Sequence, residues 1–533
     1  MIIRNKPVKT SGLTCGLLFF SALLVGCNDD DNKDNTAPVE QNKALEVNLI
    51  HINDSHSHLD EETLKLMLET SAGKREEIQV ANGGFARVTA LINELANREK
   101  NAIKIHSGDA ITGDLYFTLK EGEAEADLMN TVCFDTLTLG NHEFDVDEAE
   151  LVERINLSKF NWLASNAFHN TPNGVEPFTK NGVSFPKTTV LTFKNASGAS
   201  VKVGMFSVVL PANKKNFVVY DDFFESAKKA YQELKPQCDF VVAITHLNKV
   251  DDAKLAEMLP EVKLLMGGHD HDNMIQKVGD VVIAKADANA KTVYVHNFSF
   301  DTKTKKVNLT SQLRKIDDTI AEDASVATIV QKWEQILDAA IKKMGLDKND
   351  VVATLDTPLD GRESSIRNFQ TNLGTAIAKA MSKASSKPND CAIFNGGSVR
   401  IDDQVGGKVT QLDIMRVLPF GGKIVEAEMK GRLLEQVLNT GLKNKGNGGY
   451  LQWDKITYDN AKNEWTINGK LLDVNQTYYV VLPKFLIEGK ETNLGFLTDK
   501  NPDVLKIIEP DTNDTNDARS DVRKVLIAYL KTK

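Results

Sequence analysis

Between Leu45 and about Lys315, short apolar runs alternate with amphipathic stretches. Leu45, Val47 and Leu49 alternate with polar neighbours, as on a strand, whereas Phe85 to Leu95 repeats its apolar positions at helical spacing. Strands and helices in alternation predict a layered α/β domain. From Ala321 to Gly345, Val326, Ile329, Val330, Trp333, Leu337, Ala340 and Met344 recur every three or four residues, and Gly345 supplies a stop. This stretch reads as a connecting helix, within residues 321–350, between a first domain over residues 45–320 and a second α/β domain over residues 351–533.

The start of the chain has another character. Arg4, Lys6 and Lys9 precede an apolar run from Leu13 to Val25, the form of an exported leader over residues 1–26. The run is too short for a stable membrane-spanning helix. It closes on Leu24-Val25-Gly26-Cys27, which resembles the lipobox of bacterial lipoproteins. That resemblance implies cleavage before Cys27, lipidation of its thiol, and a membrane-anchored lipoprotein. With Asn28 after the cysteine it further implies outer-membrane sorting, facing the periplasm or cell exterior. An ordinary secretory leader ending at a chance cysteine is the other reading. Residues 27–44 are polar and acidic and read as a flexible tether.

Composition narrows the partners. With 41% apolar and 26% charged residues the chain is globular in character, and its net charge of −10 argues against a nucleic acid polymer as partner. An anionic ligand must therefore be held by local cations. Beyond Cys27, the cysteines Cys133, Cys238 and Cys391 are too few and too scattered for a disulfide framework, and are expected to be buried apolar residues.

All ten histidines lie between His51 and His296. Five polar clusters follow apolar runs: Asp54 with His56; Asp109; Asn141, His142 and Asp145; His246; and His269 with His271. Oxygen and imidazole donors at several strand ends predict one metal centre assembled from distant parts of the chain. Two dications ~3.5–4 Å apart need a shared anionic ligand, and Asp109, set among small residues, is the candidate bridge. Asp54 and His56 suit one ion, Asn141, His246 and His269 the other, with His271 reaching back to the first. His142 directly follows a ligand and is placed to reach a reacting group; Asp145 either orients it or serves as a turn or cap residue. His51 and His106 read as scaffold, His169 and His296 as surface or turn residues. His58 reads equally as a supporting neighbour of the ligands, and Asn166 as either a site neighbour or a turn residue.

In order, Asp54-Ser55-His56, Gly108-Asp109, Gly140-Asn141-His142-Glu143, His246 and Gly268-His269-Asp270-His271 resemble the calcineurin-like metallophosphoesterases. The resemblance implies a four-layer α/β/β/α domain, and two divalent ions (zinc, manganese, cobalt or magnesium) that activate water for in-line attack on phosphorus. In the second half, Arg367-Asn-Phe-Gln-Thr-Asn372, Asn395-Gly-Gly397-Ser-Val-Arg400, Pro419-Phe420-Gly-Gly and Gly448-Gly449 resemble the C-terminal domain of 5′-nucleotidases, kin to UDP-sugar hydrolases. Arg367 and Arg400 are forked donors suited to phosphate, or else surface ion-pair residues, with Arg362 as an assistant at unusual spacing. Asn395 and Gly397 allow close approach of a ligand. Phe420 is exposed to stack on a base or is simply buried, with Phe485 as the second ring.

One departure stands out. No aspartate follows Phe485 where the family holds the ribose, leaving Glu491 or Asn493 as replacements. The implied activity is hydrolysis of nucleoside 5′-monophosphates, extending to UDP-sugars or NAD. Within the class, a 2′,3′-cyclic-nucleotide phosphodiesterase with 3′-nucleotidase activity and a sulfate thiohydrolase are alternatives. A non-catalytic nucleotide- or metal-binding surface lipoprotein is the alternative outside it.

Overall fold

The structure is a computed structural model that describes residues 44–212, 215–511, 514 and 517–533. The leader, Cys27 and most of the tether lie outside the described residues. Among the described residues no helix is long and apolar enough to cross a membrane.

Two six-stranded sheets form the centre of the first half. One runs in the order Val307–Lys315, Thr292–Phe300, Leu45–Ile52, Ala102–His106, Thr136–Thr138, Asn161–Leu163. Its last four strands are parallel, and Thr292–Phe300 pairs antiparallel to Leu45–Ile52. The other runs Thr188–Lys194, Ser200–Val209, Phe240–His246, Leu264–Gly267, Val281–Lys285, Met274–Val278, with four parallel strands at its centre. The inner faces meet in a core that includes Val47, Leu49, Val203, Ile244, Met266 and Phe298. Outside the first sheet pack the helices Phe85–Arg98, Glu123–Val132 and Ala324–Lys343; outside the second pack Phe223–Leu234 and Lys249–Met258. The result is the expected helix–sheet–sheet–helix stack.

This layering explains one local pattern. The first strand begins with the alternation read from its sequence, Leu45 and Val47 buried around exposed Glu46, but from Val47 to Ile52 every residue is buried. A strand covered on both faces loses its polar side.

The helix Ala324–Lys343 is capped by Asp323, whose carboxylate accepts the amides of Ser325 and Val326. It buries Val326, Trp333, Leu337 and Ile341 in the first half's helical core, so its apolar stripe packs on that side. Burial of such side chains stabilises by about 1.5–3 kcal/mol each before entropy is counted.

The second half is built on a mixed sheet in the order Leu451–Asp454, Cys391–Asn395, Thr477–Pro483, Ile424–Lys430, Val504–Ile508. Helices Asn372–Ala384, Gln411–Val417 and Val522–Leu530 pack into the core on one face, and Gly431–Lys443 into the core on the other. The halves touch directly. Met415, from the helix Gln411–Val417, is buried in the first half's helical core, and Arg416 reaches Asp60 at 3.2 Å.

Two expectations need correction. His296 is no surface or turn residue: it lies fully buried in strand Thr292–Phe300, in a cluster with the rings of His51 and Tyr294. Its apolar neighbours carried it inside, and Ser311 satisfies its Nδ1 at 2.8 Å. Of the three cysteines only Cys391 is buried, while Cys133 and Cys238 are half-buried, Cys133 because it ends a helix in the left-handed conformation.

Candidate metal centre

Every predicted ligand lies at or just past the carboxyl end of a parallel strand, and the two sheets bring those ends to one place. The turn that follows each strand is unusual. Asp54, His56, Asp109 and His269 all have left-handed backbones, with φ of 49°, 47°, 56° and 77°. Such conformations are costly for residues with a Cβ and persist where surrounding bonds hold them.

Those bonds can be named. Glu143, buried behind Asn141, accepts the amides of Gly140 and Asp109 on Oε2 and that of Ala110 on Oε1, at 2.6, 2.9 and 2.7 Å. It thereby staples the two loops together. Asp54 accepts the amide of His269 on both oxygens, at 3.0 and 2.9 Å. Glycine is required where loops cross: a Cβ on Gly140 would stand 2.2 Å from Asp109 Oδ1, and one on Gly268 2.9 Å from Asp54 Oδ2.

The donors converge as two groups, Asp54 with His56 and His271, and Asp109 with His246 and His269. Asn141 joins the second through Oδ1, 3.1 Å from His269 Nδ1. Asp109 Oδ2 lies 3.0 Å from His246 Nε2 and 3.9 Å from His56 Nε2, which is the position of a bridge.

The donor set fits divalent metal. His56 Nδ1 donates to the Thr112 carbonyl at 2.6 Å, and His246 Nδ1 to that of Ser107 at 2.7 Å. Each bond fixes the tautomer and turns Nε2 inward, as metal-ligating imidazoles require. His56 Nε2 then faces His271 Nε2 at 3.0 Å, and His246 Nε2 faces the Asp109 carboxylate, also at 3.0 Å. Opposed lone pairs at that distance repel unless a cation or proton lies between them.

Charge in the site follows from burial. Desolvation, reinforced by neighbouring imidazoles, holds His56 and His269 well below the ordinary histidine range, so both stay neutral. Burial also pushes His246 and His271 down, but carboxylates outweigh it: Asp109 and Asp54 lift His246, and Glu363 and Asp402 lift His271, each to about 9. Desolvation raises Asp54 to about 6, whereas Asp109 is carried below the usual range against its own burial, chiefly by His246 and His142.

His142 stands beside the ligands. Its amide donates to Asp109 Oδ1 at 2.7 Å, and its Nδ1 bonds to Asp145 Oδ2 at 2.6 Å, so Asp145 is the orienting partner rather than a helix cap. Asp147 caps the next helix instead. The other histidines are occupied: His51 by the Gly267 carbonyl, His106 by Ser55 and the Gly108 amide, His58 by Glu62 and Asp114, and His169 by Glu148. Asn166 spends its amide on the backbone of Val209 and Asp221 and braces a turn.

The second half faces this centre. His56, Gly113, His271 and Asn289 share a small cleft with Glu363, Val399, Arg400 and Asp402. Arg367 is ion-paired with Glu363, and its Nε is buried without an acceptor, an orphaned donor suited to an anion. Arg362 is not in this set: it is half exposed and forks onto Asp360 at 2.9 and 2.8 Å. Phe420 and Phe485 are 43% and 42% exposed, so neither ring is buried in the core. Asn395 donates to Glu491 Oε2 at 2.7 Å, while the amide of Asn493 is spent on Asn444. Gly397 gives its N–H to the Gly448 carbonyl, and a Cβ on Gly397 would stand 2.8 Å from Gly448 Cα, so it lets two loops cross.

Sequence reasoning missed three supports: Glu143, Asp402 and Lys285. Lys285 is fully buried and bonds the carbonyls of Leu247 and Gly268 at 2.6 and 2.8 Å, with Asp252 and Asp270 both at 2.7 Å. It thus clamps the loops that carry His246, His269 and His271. A lysine closing the otherwise apolar strand Val281–Lys285 was the available signal.

Comparison with known proteins agrees with this geometry. The calcineurin-like phosphoesterase family matches residues 47–273, and the 5′-nucleotidase C-terminal domain family matches residues 351–497. The chain is 27% identical over 463 residues to the trifunctional nucleotide phosphoesterase protein YfkN of Bacillus subtilis, covering 79% of this chain but only 29% of that protein's length. It is 26% identical to the NAD 5′-nucleotidase of Haemophilus influenzae, covering 82% of this chain and 79% of that one. Among solved structures, the 5′-nucleotidase precursor of Thermus thermophilus superposes with a TM-score of 0.74 at 23% identity, covering 92% of this chain and 96% of the other.

Two outcomes are expected. Without metal, the carboxylate-paired His246 and His271 favour folding fully below pH 6.5, and that contribution fades as pH rises through about 9. Metal must expel those protons, so its apparent affinity rises across the same window. Calorimetry of manganese binding in buffers of different ionisation enthalpy near neutral pH will register proton release; buffer-independent heats would contradict it. Lys285→Met leaves Asp252 buried without its cation, at a cost of about 3–5 kcal/mol in urea unfolding.

Proposed function

The chain belongs to the 5′-nucleotidase family, a calcineurin-like phosphoesterase domain joined to a 5′-nucleotidase C-terminal domain, and from that membership we propose that it hydrolyses nucleoside 5′-monophosphates to nucleoside and phosphate. The observation that carries the proposal is the position of Asp109 between the two ligand groups, whose His56 and His271 share a cleft with Arg400.

Asp54, His56 and His271 would hold one divalent ion, and Asp109, Asn141, His246 and His269 the other, with Asp109 shared. Bound there, the metals supply charge neutralisation on the phosphoryl oxygens and a water of lowered pKa. The chain's own residues do the rest. Arg400 and Arg367 hold the phosphoryl group by forked donors. Asp145 fixes the His142 ring through Nδ1, so that Nε2 is the nitrogen that meets the reacting phosphoryl group or leaving oxygen and can pass it a proton. Phe420 and Phe485 sandwich the base, and the Asn395–Glu491 pair accepts the ribose hydroxyls, with Glu491 in the role left open by the missing aspartate. A sandwich that reads mainly the nucleoside also admits larger leaving groups, which extends the substrate range to UDP-sugars and NAD.

The assay is phosphate release from AMP by the chain from Asn28 onward, with manganese or zinc. His142→Ala is expected to lower kcat by about 10²–10⁴-fold with metal binding intact. Phe420→Ala and Phe485→Ala should raise KM far more than they lower kcat. Turnover of 2′,3′-cyclic AMP but not of AMP would replace the nucleotidase with the cyclic phosphodiesterase. Metal bound without turnover of any phosphoester would leave only a binding protein.

We also propose lipid anchorage through Cys27, which would hold the enzyme at the outer membrane, facing the periplasm or exterior; the support is the Leu24-Val25-Gly26-Cys27 string. Radiolabelled palmitate should enter the wild-type chain and not Cys27→Ser; equal labelling of both would reject the anchor.

A further inference from the structure

His56 and His246 each take the hydrogen bond that fixes their outer nitrogen from a backbone carbonyl of their own domain, Thr112 and Ser107. His271 does not. Its Nδ1 lies 2.9 Å from Asp402 Oδ2 and 3.4 Å from Glu363 Oε2, and both carboxylates belong to the second domain. Asp402 is itself held in place, since its Oδ1 accepts the Glu363 amide at 2.7 Å and its backbone is left-handed, with φ 45°. A non-glycine residue in that conformation is uncommon, and it marks a side chain aimed by its surroundings. Glu363 in turn pairs with Arg367, so one polar chain runs from a phosphate-binding candidate of the second domain to a metal ligand of the first.

We propose that Asp402 is a positioning residue lent by the second domain: it fixes the tautomer and ring orientation of His271, so that retention of the metal at Asp54, His56 and His271 is linked to closure of the two domains. The inference rests on the two-metal reading above. A carboxylate accepting from the outer N–H of a ligating imidazole keeps the inner nitrogen as a lone pair and raises its basicity. Here that partner is present only when the domains meet. Because coupling between binding and closure is reciprocal, metal at this position must favour the closed arrangement by the same factor that closure favours metal. The second ligand group, Asp109, His246 and His269, takes no such partner from the second domain among the described contacts.

Asp402→Asn is close to isosteric. It keeps Oδ1 for the Glu363 amide but sets an NH₂ against His271 Nδ1–H. In calorimetric titration of the metal-stripped chain with manganese, wild type should bind two equivalents. The variant should hold one with unchanged affinity and bind the other about 10–100-fold more weakly. Both equivalents binding Asp402→Asn as tightly as wild type would overturn the proposal. A wild-type chain that binds no manganese would instead sink the metal centre itself, and this inference with it. A second measurement needs no variant: X-ray scattering of the wild-type chain should show a more compact particle with manganese than with a chelator. Superimposable curves would overturn the linkage.

Discussion

One buried cation ties the metal-binding loops to the scaffold. Lys285 carries its charge into a fully buried position, where water cannot solvate it, and the protein compensates with two carboxylates and two carbonyls. Those carbonyls belong to Leu247 and Gly268, each next to a ligating histidine. An ammonium that must satisfy its donors within a few ångströms leaves these loops little freedom. Glu143 does the same on the other sheet through three backbone amides. A buried ionisable side chain therefore stands behind the ligands on each sheet.

This rigidity accounts for the strained backbone in front of it. Asp54, His56, Asp109 and His269 hold left-handed conformations that an unsupported loop would relax. Gly140 and Gly268 remove the Cβ atoms that would keep the loops apart, and the staples then draw them into contact. Pre-organisation of this kind matters in a dinuclear site, because donors held apart by mutual repulsion gain nothing from flexibility.

The second domain stands over this centre in a different way. Its contacts with the first domain are polar at the cleft and apolar at Met415, and they place Arg400, Glu363 and Asp402 along the wall opposite His56 and His271. Residues of the two domains thus share one cleft without sharing one scaffold. Interfaces of that composition are ones across which domains move, and catalysis gated by such motion is widespread.

Much of the protein was legible along the chain. Alternating apolar runs and helical stripes determined the α/β layering, because periodicity reports which faces are buried. Donor clusters behind strand ends determined the ligand set, because parallel sheets deliver those ends to one edge. The helix Ala324–Lys343 was visible for the same reason: its stripe and the Asp323 cap are local features. Fates that depend on a distant neighbour were not. Nothing near His296 indicates that it is buried against the ring of His51 from another strand, nor does the Gly396-Gly397 run show that Gly448 will lie against it. That Glu491 meets Asn395 while Asn493 meets Asn444 depends on packing across the second domain. The roles of Lys285 and Asp402 arise from bonds that join residues far apart in sequence. The sequence by itself determined which atoms can bind metal; only the tertiary structure decided which charges stand behind them, because electrostatic partners are chosen by distance in space and by burial, and neither can be read along a chain.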